Sequence, residues 1–121
     1  MAVVLVVDDS LLARHTVRLA LRSLHHEVLE ASDGIAGLLI ARACLPDVVI
    51  AAQVLPATSG EALFAALARE GHTAASILIE TPTPDDHPRI TDRISLQRPL
   101  CTKLIRAAVE RALGVPSRKA A

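Results

Sequence analysis

The chain has 121 residues, 13 basic and 13 acidic side chains, a formal charge of zero, and a single aromatic residue, Phe64. That length suits one domain with a real core, while the balanced charge gives no field to draw the whole molecule to nucleic acid and the near-absence of aromatics removes stacking platforms for bases or sugars. The first apolar run, Val3 to Val7, is far too short for a signal-peptide core or a membrane helix of about 20 residues, so a cytoplasmic protein without membrane contact is expected.

Val3 to Val7 is unbroken in its hydrophobicity, as in a central strand covered on both sides, and it stops at Asp8-Asp9-Ser10. Ser10 is a good N-cap for a first helix with Ala13, Val17, Ala20, Leu21 and Leu24 at helical spacing. Arg14, Arg18 and Arg22 recur every fourth residue on its other side, a basic stripe that reads first as a solvated face and second as a partner surface. A second strand spans Val28 to Ala31. A second helix covers Asp33 to Cys44 with Ile35, Leu38, Leu39 and Ala43 turned inward, and Pro46 closes that region.

The third strand is Val48 to Ala52. The third helix opens near Ser59-Gly60-Glu61 and carries Leu63, Phe64, Leu67 and Ala68. The fourth strand is Ser76 to Glu80. From Thr81 to Arg93 the chain holds three prolines and one large apolar residue, Ile90. Proline in a helix interior costs about 3 kcal/mol, so an irregular or shortened fourth helix is expected there. A fifth strand, Ile94 to Gln97, leads to a fifth helix capped near Thr102 and ended by Gly114, with Ile105, Ala108, Val109, Ala112 and Leu113 inward. Residues 115–121 read as a polar tail, leaving one domain over 1–114. Cys44 and Cys101 lie far apart in helical stretches and read as reduced thiols in or near the core.

Strand and helix alternate five times, the pattern of an α/β fold with a parallel sheet. VLVVDDS, PDVVIAAQVLPATSG, a strand running into Thr81, and Arg98-Pro99 together resemble the receiver domain of two-component response regulators along nearly the whole chain. The resemblance implies a doubly wound five-stranded sheet of the flavodoxin-like or CheY-like type, in the order 2-1-3-4-5. The carboxyl ends of its strands would gather Asp8, Asp9, Ala52, Thr81 and Arg98 at one edge, where open α/β sheets bind ligands.

In that family an acidic pair and an acceptor aspartate hold Mg²⁺, the acceptor takes phosphate, a hydroxyl on the fourth strand binds it, and a lysine before proline neutralises it. By resemblance Asp8 and Asp9 match the acidic pair, Thr81 the hydroxyl, and Arg98-Pro99 the basic residue and proline. The acceptor position is Ala52, whether counted forward from Pro46-Asp47 or back from Pro56. A methyl group has no nucleophilic atom. Two aspartates alone make a weak, wet Mg²⁺ site, and no other cofactor is implied. Arg98 can bridge Asp8 or Asp9 bidentately, closing the pocket with an internal ion pair.

The expectation is therefore an atypical receiver, a pseudo-receiver acting through protein contacts rather than as an enzyme. Its partner would be a signalling protein such as a histidine kinase or another regulator, met through Arg14, Arg18 and Arg22 or through the edge at Leu55 and Pro56. Regulation by phosphorylation or by a ligand at a substitute site is the first alternative, though the substitute acceptors Ser59 and Asp47 are both poorly placed. A phosphatase or phosphotransferase of the haloacid dehalogenase type would need its second aspartate two residues after the first, whereas Asp8 and Asp9 are adjacent. A flavin or nucleotide binder would need a phosphate loop absent here. Taken alone, Asp8 and Asp9 could simply favour the start of the first helix. His15, His25, His26, His72 and His87 show no metal-ligand spacing.

Overall fold

The computed structural model describes residues 1–82 and 93–114. The proline-punctuated stretch at 83–92 and the tail at 115–121 lie outside the described residues, and with them most of the expected irregular fourth helix. The elements are β1 (Val3–Val7), α1 (Leu11–Arg22), β2 (Glu27–Ala31), α2 (Gly34–Cys44), β3 (Val48–Ala52), β4 (Val54–Leu55), β5 (Thr58–Ser59), α3 (Gly60–Arg69), β6 (Ala75–Glu80), β7 (Ile94–Gln97) and α4 (Thr102–Ala112). The main sheet is parallel throughout, in the order β2-β1-β3-β6-β7. With its strands counted along the chain, that is the expected 2-1-3-4-5.

Alternation along each strand divides the core in two. Val4 and Val6 of β1 join Val48, Ile50, Ile77 and Ile79 under α1 and α4, while Leu5 and Val7 join Val49, Ala51 and Leu78 under α2 and α3. Each of the first three helices is capped by a side-chain oxygen: Ser10 accepts from Ala13 N, Asp33 from Ala36 N and Ser59 from Ala62 N. Because the strands are parallel and each helix follows a strand, all these helix starts gather at the carboxyl edge of the sheet.

Several expectations change. Ile35, Leu39 and Ala43 of α2 face outward, whereas Gly37 and Ala41 face the sheet and Gly34 lies against Thr58 and Leu55. A Cβ on Gly37 would stand 2.8 Å from Val7 Cγ2, so the helix lies backbone-close to β1, with its smallest residues inward. Periodicity could not choose the face because both sides of α2 are apolar. Ala68 of α3 is likewise exposed. Cys44, the last residue of α2, and Cys101, just before α4, are both exposed rather than in the core. The chain between β3 and α3 folds into a short antiparallel ladder, β4 with β5, that turns through Ala57 at φ 63° and buries Leu55. Leu55 is therefore a core residue and not part of an exposed edge, which leaves Pro56 and Val54 outward.

Candidate functional site

Asp8 is the one fully buried charged residue among the described residues. A carboxylate held out of water needs hydrogen-bond partners, and each carboxylate oxygen of Asp8 has one. Its Oδ2 accepts from Arg98 Nη2 at 2.6 Å and its Oδ1 from Ser10 N at 2.9 Å. Its carbonyl accepts from Arg14 Nη1 at 2.7 Å, and its N–H donates to Ala31 O at 3.1 Å. Arg98 uses one nitrogen on Asp8 rather than the two-pronged fork expected. Its own backbone N–H donates to Glu80 O, which carries the end of β7 along β6 and aims the guanidinium at the end of β1.

Register sets the neighbours. Val7 pairs with Ala51 and Ala52 with Ile79, so Ala52 lies level with Asp8 at the carboxyl edge, its methyl buried. Asp9 is exposed, Thr81 is exposed just past the end of β6, and Pro99 is exposed after a cis peptide with Arg98. Five of the expected site residues thus stand at the ends of β1, β3, β6 and β7, and an ion pair joins two of them, Asp8 and Arg98.

Beside the pocket runs a second network that the sequence did not announce. Glu30 on β2 accepts from Arg14 Nε at 3.3 Å and from Arg18 Nη1 at 2.8 Å, and Arg18 Nη2 lies 2.9 Å from His15 Nδ1. Two arginines of the basic stripe are therefore tied to the sheet edge, and Arg14 links that edge to the Asp8 backbone. The available signal was an acid in an edge strand opposite a basic stripe. On the far side of Pro99, Cys101 makes no capping hydrogen bond through sulfur, yet the N–H groups of Leu104 and Lys103 favour its thiolate and lower its pKa.

No family model matches the sequence. Protein PilH of Pseudomonas aeruginosa is 33% identical over 94 residues, spanning 78% of this chain and 75% of that protein. The chemotaxis response regulator CheY4 of Vibrio cholerae superposes with a TM-score of 0.82 at 24% identity, covering 93% of this chain and 98% of that one. The receiver domain of the NarL regulator of Mycobacterium tuberculosis gives 0.77 at 29% identity, with 93% and 97% covered. The chain belongs to the CheY-like receiver family of response regulators.

As a receiver it carries the family's sheet order and places its helix starts around the edge that holds Asp8. Among the described residues no helix is long and apolar enough to cross a membrane. No cluster of three His, Cys, Asp or Glu side chains that could hold a metal ion occurs among them either.

Proposed function

We propose that this receiver has left phosphoryl transfer and works as a pseudo-receiver, a signalling module that acts by protein contact. The observation that carries the reading is the buried methyl of Ala52 at the end of β3, level with a buried Asp8 that Arg98 already neutralises at 2.6 Å. An acyl phosphate needs an oxygen nucleophile, and Ala52 offers none.

The donor set supports the same reading for the family's metal. Mg²⁺ takes six oxygens in near-octahedral array, usually several waters with one or two carboxylates free to face it. Here Asp8 is engaged by Arg98 and by Ser10 N, Asp9 stands in solvent, and Ala52 contributes no side-chain oxygen. These residues do not fit the ion. Substitute acceptors are also disfavoured. Ser59 Oγ accepts from Ala62 N as the cap of α3, and Asp47 sits at the opposite edge, where its carboxylate accepts from Val3 N at 2.8 Å.

The partner implied is another signalling protein, a histidine kinase or regulator, reading a fixed surface rather than a phosphate-dependent one. The test is direct. Incubation with acetyl phosphate, or with beryllofluoride and Mg²⁺, should leave the intact mass unchanged and the amide resonance of Thr81 unmoved. A stable adduct on any residue at the carboxyl edge of the sheet would overturn the proposal.

A further inference from the structure

We draw no further inference here: the strongest candidate, the cavity of about 420 Å³ at the amino edge of the sheet between the turns that precede β3 and β6, has its two acids already engaged within the chain, Asp47 by Val3 N and Glu70 by Arg42, and nothing in the structure shows what would fill it.

Discussion

Gly60 lies against the backbone of Ala52, so that a Cβ placed on Gly60 would stand 2.5 Å from the Ala52 carbonyl oxygen and 2.9 Å from Leu78 Cδ1. The start of α3 is thereby pressed onto the end of β3, and Gly60 N donates to Gln53 O at 3.2 Å across the same turn. The glycine is needed for close approach rather than for a left-handed backbone. Gly60→Ala should cost about 3 kcal/mol, since a backbone oxygen cannot swing aside as a side chain can. Gly71→Ala has nothing within 4 Å of the new methyl and meets only the strain of φ +82°, about 1 kcal/mol. Urea midpoints for the two variants should differ in that order, and equal midpoints would show that the turn at Gly60 is loose.

The ion pair of Arg98 with Asp8 joins a residue with no exposure to one that is 28% exposed. Removing the cation leaves a buried carboxylate facing one backbone N–H from Ser10. Arg98→Ala should therefore cost about 3 kcal/mol, the lower end of the range for breaking a buried pair, because Arg98 still reaches water. On a domain of this size that lowers the melting temperature by about 10 °C. Arg98→Lys keeps the charge without the planar fork and should recover more than half of the loss. Equal losses in the two variants would mean that Arg98 acts through packing rather than charge.

The strands were legible because each is a short apolar run closed by turn residues or acids, and the sheet order followed from the family resemblance on Asp8-Asp9, Pro46-Asp47 and Arg98-Pro99. The faces of α2 were not. Gly34, Gly37 and Ala41 make a close-approach seam on one side while Ile35 and Leu39 make a hydrophobic stripe on the other, and hydropathy alone chooses the larger residues. The β4–β5 ladder escaped notice because two-residue strands carry no period. In the candidate site, each acid and base was visible at its strand end, but the choice of Asp8 over Asp9 for Arg98 depends on burial. Val7 and Asp8 continue the strand under the helices, whereas Asp9 turns out to water. Likewise Arg14, Arg18 and Arg22 look alike in sequence, and only the position of Glu30 on β2 divides them.

A pH effect follows from His26, which anchors the start of β1 by accepting from Ala2 N through Nδ1 at 3.0 Å. Burial first, and the nearby terminal ammonium second, lower its pKa from the ordinary 6.5, with Glu110 pulling the other way. The folded chain therefore binds fewer protons here than the unfolded chain does. Stability from this group is complete above about pH 6.5 and is lost as the pH falls through the lowered folded value. The melting temperature should fall between about pH 7.5 and 5.5, and His26→Asn, which keeps an acceptor that does not titrate, should flatten that slope. A slope unchanged by the substitution would assign the effect to other groups.

Restoring the family's nucleophile should destabilise the pocket before it restores any chemistry. A carboxylate introduced by Ala52→Asp would lie about 5 Å from that of Asp8, and at an effective dielectric near 20 the repulsion is about 3 kcal/mol, partly offset by Arg98. With three carboxylates at one edge the donor set resembles an oxygen site for a divalent ion, so Mg²⁺ gains a reason to bind that the parent chain lacks. Ala52→Asp is expected to melt below the parent without metal and to recover with millimolar Mg²⁺, while the parent melts at the same temperature with and without it. Arg98 would then compete with the ion for Asp8. Combining Ala52→Asp with Arg98→Lys, whose compact ammonium holds Asp8 less rigidly, should increase the Mg²⁺-dependent rise in melting temperature. If neither variant responds to metal, Asp8 and position 52 do not face a common pocket, and the reading of Ala52 as the lost acceptor position fails with it.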